Sequence, residues 1–137
     1  MNTAALPDIK SSVLVVDDDE FSRDVLQEML QAQGVTQISM ASNGRIALHT
    51  LLDMSSPPDL IVCDVFMPDM DGIEFMSALA RQQYKGSVVL VTGVDIETLS
   101  LARDIAAAEG IKLLGSLTKP LRHQELTQIL HQALTSD

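Results

Sequence analysis

The chain has 137 residues, a formal net charge of −10, 46% hydrophobic residues, 3% aromatics and no Trp. That length supports one domain with a real core, here aliphatic and Met-rich, and the acidic balance excludes nonspecific binding to nucleic acid or to an anionic membrane. A lone Cys63 excludes an internal disulfide and suits a reducing compartment. No stretch is long enough to span a bilayer and Met1 to Lys10 lacks the order of a signal peptide, so a cytoplasmic setting is expected.

A short tail at 1–11 is expected to lead into one domain at 12–134, followed by a second tail at 135–137. Ser12 to Val16 is a β-branched apolar run and reads as a buried strand. The spacing then predicts a helix over 20–33, with Phe21, Val25, Leu26, Met29 and Leu30 on one stripe and Gly34 as its stop. Gln37 to Ala41 reads as a weaker strand. Ser42-Asn43-Gly44 is turn chemistry suited to capping a helix with Ile46, Ala47, Leu48, Leu51 and Leu52, which Ser55-Ser56-Pro57-Pro58 ends. Asp59 to Asp64 is the third strand, and a loop from Val65 to Asp71 precedes a helix over 72–83. Ser87 to Thr92 is the fourth strand, bracketed by Gly86 and Gly93. Asp95 to Glu109 reads as an Ala-rich, weakly amphipathic helix closed by Gly110. Ile111 to Leu114 is the fifth strand, and Leu121 to Leu134 the last helix, with Leu126, Ile129, Leu130, Ala133 and Leu134 spaced for packing.

Five strand–helix units in alternation imply an α/β fold, a parallel sheet with helices on both faces. In such sheets the ligand site lies beyond the carboxyl ends of the strands, where strand order reverses. Asp17, Asp18, Asp64, Thr92 and Lys119 all fall at or just past predicted strand ends. Carboxylates gathered on one rim repel one another and call for a cation, and a divalent oxygen-loving ion is the natural one. Plainer readings cover the neighbours. Asp17-Asp18-Asp19 also reads as a capping cluster, and Asp19 is assigned to that role. Asp69 and Asp71 are expected as loop and cap residues, and Cys63 as a core side chain. His49, His123 and His131 show no metal spacing that converges with the acids, and Arg103 and Arg122 read as surface or interface charge.

Four motifs follow one another in order: Val15-Val16-Asp17-Asp18, Asp64-Val65-Phe66-Met67-Pro68-Asp69-Met70-Asp71-Gly72, Val91-Thr92-Gly93 and Lys119-Pro120. In this element context the chain resembles the receiver domain of two-component response regulators, over roughly Ser12 to Leu134. The resemblance implies a five-stranded, doubly wound, flavodoxin-like sheet and a phosphoprotein that signals rather than turns over a substrate. On it, Asp64 resembles the phosphoacceptor, taking its phosphoryl group from a histidine kinase or phosphotransfer protein. Asp17 and Asp18 resemble the acidic pair that holds Mg²⁺, with Asp18 the more direct ligand and the Phe66 backbone carbonyl another. Thr92 would hydrogen-bond a phosphoryl oxygen, Lys119 would pair with Asp64 and then with the phosphoryl group, and Pro120 would follow a cis peptide. The output implied is a changed affinity for an output domain, a downstream partner or a second copy in a homodimer, through the region of the fourth helix and fifth strand. The run Leu113 to Leu121 resembles, more narrowly, receivers that precede EAL-type cyclic-di-GMP phosphodiesterase domains.

Two departures from the family pattern bear on mechanism. Ser116 stands where an aromatic is frequent, three places before the lysine, so a Thr shift that draws a ring inward does not operate in that form. Phe66 and Val94 are apolar where polar side chains are common beside the path of a hydrolytic water, which implies a long-lived phosphoryl group. Two further functions stay open on sequence: a Mg²⁺-dependent aspartyl-phosphate phosphatase, and a pseudo-receiver that binds a partner without phosphorylation. The phosphatase class places its nucleophile at the first strand, usually as Asp-x-Asp with a following Thr, where this chain has Asp17-Asp18-Asp19-Glu20-Phe21. The complete acid, Thr and Lys set argues against the pseudo-receiver.

Overall fold

The structure is a computed structural model that describes residues 9–93 and 96–134. Strands and helices alternate as β1 (Ile9–Val16), α1 (Glu20–Ala32), β2 (Val35–Ala41), α2 (Gly44–Asp53), β3 (Leu60–Asp64), α3 (Gly72–Arg81), β4 (Ser87–Thr92), α4 (Ile96–Glu109), β5 (Lys112–Thr118) and α5 (His123–Leu134). All pairings are parallel, in the order β2-β1-β3-β4-β5, the doubly wound sheet expected.

Side-chain alternation along the strands splits the core in two. Leu14, Val16, Ile61, Cys63, Val88 and Leu90 point to one face and meet Phe75, Met76 and Leu79 of α3 and Ala102 and Ala106 of α4. Val13, Val15, Leu60, Val62, Val89 and Val91 point to the other and meet Leu26 and Leu30 of α1 and Leu126 and Leu130 of α5. Burial on both faces is why Val13–Val16 of β1, Leu60–Cys63 of β3 and Val88–Val91 of β4 read as unbroken apolar runs.

Helix starts follow cap chemistry. Asp19 accepts from the Ser22 amide, Asn43 from that of Ile46 and Asp71 from that of Glu74, with Glu74 returning the contact to complete a capping box. Gly34 and Gly110 adopt left-handed φ of 96° and 78° at the ends of α1 and α4, the stops foreseen from sequence.

Several expectations need correction. β1 opens at Ile9, inside the segment assigned to the first tail, because Ile9 to Ser12 pair with β2 through a register irregularity. β2 opens at Val35, whose side chain is buried. α3 ends at Arg81, with Gln83 left-handed at φ 61°. β5 runs on to Thr118 rather than ending at Leu114: a shift of register between Val88 and Val89 absorbs Leu114, after which Gly115 and Ser116 pair with Val89 and Leu90. α5 starts at His123, not Leu121. Phe21, expected on the buried stripe of α1, is 74% exposed. Ile46 and Leu52 are also exposed, so α2 packs through the narrower stripe of Ala47, Leu48 and Leu51. Val94, Asp95, the side chain of Leu134 and the expected tails, apart from 9–11, lie outside the described residues. Among those described, no helix is long and apolar enough to cross a membrane.

Candidate functional site

Register carries the acids to one edge. Val16 pairs with Cys63 and Asp64 with Val91, so Asp17 and Asp64 emerge side by side at the carboxyl ends of β1 and β3. This is where strand order reverses, since the chain runs from β1 out to β2 and then crosses back to β3. Backbone hydrogen bonds continue the ladders past the strand ends: Asp17 N–H donates to the Ala41 carbonyl at 3.1 Å, Val65 N–H to Val91 at 2.9 Å and Lys119 N–H to Thr92 at 2.9 Å. One carboxylate oxygen from each of Asp17, Asp18 and Asp64 lies within 4.8 Å of the others. Asp17 and Asp64 are buried and Asp18 is exposed.

Lys119 reaches over the two buried acids. Its Nζ lies 3.2 Å from Asp64 Oδ2 and 3.5 Å from Asp17 Oδ2, and the bond between Lys119 and Pro120 is cis. Burial pushes the Asp64 carboxyl above its ordinary pKa, the Asp17 charge adds to the rise, and Lys119 offsets part of it. The Phe66 amide also donates to that carboxylate. Burial disfavours the Lys119 ammonium, but Asp64 and Asp17 outweigh it and hold its pKa above the usual lysine value. Three carboxylates facing one ammonium leave an excess of negative charge that a divalent cation would neutralise, and their oxygens suit a hard ion.

Thr92 completes the edge. It is 1% exposed, and among the described residues its Oγ1 has no hydrogen-bond partner. A buried hydroxyl in that state costs free energy unless a ligand supplies a partner. Gly72 allows the β3–α3 loop to close over Asp64: a Cβ there would sit 2.9 Å from the Asp64 carbonyl oxygen. Next to the acids a cavity of about 320 Å³ opens between α1 and the loop before α5, lined by Phe21, Val25, Lys119, Pro120 and Leu121.

The structure thus brings together Asp17, Asp18, Asp64 and Lys119, and sets Thr92 on the same edge one strand over. It leaves Ser116 on β5, two residues before the strand end and paired with Leu90. The Phe66 side chain stands 55% exposed. Asp19 and Asp71 are caps, Cys63 is buried with burial pushing its thiol well up, and His49, His123 and His131 are exposed and apart from the acids. Sequence reasoning missed Arg23, whose Nη1 donates to the Asp17 carbonyl at 2.8 Å. The available signal was an arginine early in the first helix, within reach of the strand end it follows.

The family described as Response regulator receiver domain matches residues 13–131. The chain is 32% identical over 123 residues to the regulatory protein AtoC of Escherichia coli, covering 89% of this chain and 25% of that protein. It is 42% identical over 73 residues to a protein-glutamate methylesterase/protein-glutamine glutaminase of Halobacterium salinarum, covering 53% of this chain and 20% of the relative. The crystal structure of the Vibrio cholerae chemotaxis protein CheY4 superposes with a TM-score of 0.75 at 29% identity, covering 91% of this chain and 99% of that one. The chain therefore spans a quarter or less of the length of these two curated relatives, and nearly all of CheY4.

Proposed function

Since the chain belongs to the response regulator receiver domain family, whose general function is to take a phosphoryl group on an aspartate in two-component signalling, we propose that Asp64 is its phosphoacceptor. The observation that carries this reading is the meeting of Asp64, Asp17 and Lys119 at one strand edge, beside a buried Thr92 hydroxyl with no partner among the described residues.

Asp64 attacks phosphorus of a phosphohistidine on a histidine kinase or phosphotransfer protein. The carboxylate O–P bond forms as the P–N bond breaks, and the imidazole leaves with the electron pair. Lys119 passes from the bare carboxylate to a phosphoryl oxygen, and the Thr92 Oγ1 donates to another. Asp18, Asp17, Asp64 and the Phe66 carbonyl would hold Mg²⁺, which when bound supplies charge neutralisation for the transferring group. The transition state is loose, so the side chains mainly position and neutralise. Response regulators act with kinases and output domains. For this chain we place the reaction in the cytoplasm and the output in an altered affinity for a partner domain or a second copy. The receiver unit is taken as 12–134, extended by the start of β1. The narrower resemblance at Leu113 to Leu121 points to an EAL-type output, and the domain content of the full gene product tests it.

Acetyl phosphate with Mg²⁺ is expected to label the protein once per chain, and Asp64→Asn to abolish labelling. Sustained turnover of para-nitrophenyl phosphate would replace this reading with the phosphatase. Folded protein that takes no label from acetyl phosphate or from a phosphohistidine donor would leave the pseudo-receiver.

A further inference from the structure

We propose that Arg23 is a positioning residue that sets the aim of Asp17 and Asp18 toward a divalent cation. This rests on the reading of those acids as a cation site. Arg23 sits in the second turn of α1, half-buried, and its side chain folds back over the β1–α1 turn to donate from Nη1 to the Asp17 carbonyl at 2.8 Å. That carbonyl belongs to the peptide joining Asp17 to Asp18. Because the peptide is planar, holding its oxygen fixes the direction in which Asp18 leaves it.

The two acids differ in what else restrains them. Asp17 is held by its own N–H to Ala41 at 3.1 Å, by the Asp19 amide to its Oδ1 at 2.9 Å and by Lys119. The Asp18 carboxylate is exposed and has no hydrogen-bond or ion-pair partner among the described residues. Its placement near Asp17 and Asp64 therefore depends on the backbone that Arg23 grips.

The sign of the effect separates positioning from charge. The guanidinium is a fixed cation beside the site, so on electrostatics alone its removal tightens binding of a second cation. If its work is to hold the turn, removal loosens binding, as loss of groups that orient metal ligands does.

Mn²⁺ serves as the probe, with the free ion counted by its electron paramagnetic resonance signal, on the full chain well below its unfolding temperature. Arg23→Met keeps an apolar stem and drops charge and donors; Arg23→Lys keeps the charge and a rotatable ammonium without the planar fork. The expected result is Mn²⁺ affinity lowered about tenfold in Arg23→Met and partly recovered in Arg23→Lys, with the metal-free circular dichroism of both unchanged. Unchanged or tighter Mn²⁺ binding by folded Arg23→Met overturns the proposal. Should that variant not fold, Arg23→Lys decides, and wild-type affinity there overturns it. Asp18→Ala is the control for the underlying reading: if wild type binds no Mn²⁺, or Asp18→Ala binds it equally well, the cation site itself falls and Arg23 has nothing to position.

Discussion

At the scale of single residues, the site is set by what the backbone leaves room for. Gly72 N–H donates to the Val65 carbonyl at 2.7 Å, and a Cβ on Gly72 would lie 2.9 Å from the Asp64 carbonyl and 3.0 Å from Val65 Cα. These are backbone atoms that cannot rotate away. Gly72→Ala is therefore expected to cost about 1–3 kcal/mol in urea unfolding and to weaken Mg²⁺ binding by shifting Asp64. Gly93→Ala meets nothing within 4 Å among the described residues and is the control expected to change stability little. A second residue-scale prediction concerns Phe66. Its ring is 55% exposed, so replacing it disturbs little packing. Phe66→Asn introduces an amide able to orient a water near the acyl phosphate proposed on Asp64, and is expected to shorten the phosphoryl lifetime. Radiolabel retention equal to wild type would reject that role for position 66.

At the scale of elements, hydrophobic period and punctuation made β4 legible to the residue, because Gly86 and Gly93 bracket a run buried throughout. They misled at β5, where Gly115 and Ser116 look like a loop. What the sequence does not display is the partner strand, whose shifted register lets β5 continue through them. The same gap explains Phe21. Period tells which face of a helix is apolar, not where the sheet beneath it ends. The acids were legible because each stands at the end of an apolar run, whereas Arg23 was not, since its partner is a carbonyl and leaves no trace in composition. An element-scale link at the opposite edge of the sheet is open to test. Tyr84, after α3, donates its hydroxyl to the Pro58 carbonyl at 2.8 Å, joining the entries of β3 and β4. Burial pushes the phenol above its ordinary pKa, and Asp59 adds to the rise. A folded pKa above the unfolded value means the contribution is complete below about pH 10 and is lost as pH rises beyond it. Phenolate absorbance, which reports this group alone because the chain has one Tyr, is expected to appear only as the fold melts in alkali. Tyr84→Phe should cost about 1 kcal/mol at neutral pH and flatten the alkaline slope that Tyr84 contributes. Lys119, also raised, adds a separate alkaline loss that this variant leaves in place.

At the scale of the whole molecule, two sources of negative charge oppose folding and respond differently to ions. The net charge of −10 is spread over the chain, and added monovalent salt relieves it gradually by screening. The charge of Asp17, Asp18 and Asp64 is concentrated at one edge and exists as a cluster only in the folded state. A divalent cation that binds this cluster and not the unfolded chain stabilises by mass action, with a gain that grows as the logarithm of its concentration above the dissociation constant. Mg²⁺ is therefore expected to raise the melting temperature beyond a NaCl control of equal ionic strength. Asp18→Ala should remove most of that excess, and Asp17→Ala less of it, since Asp17 is also occupied by Lys119 and the Asp19 amide. The metal-free comparison carries the opposite sign. Asp64→Asn relieves a carboxylate that burial and Asp17 both disfavour, so it should melt higher than wild type without Mg²⁺ and lose that advantage as Mg²⁺ is added. Equal curves for Mg²⁺ and NaCl in wild type would mean that general screening accounts for the whole response, and that the three acids do not act as one site.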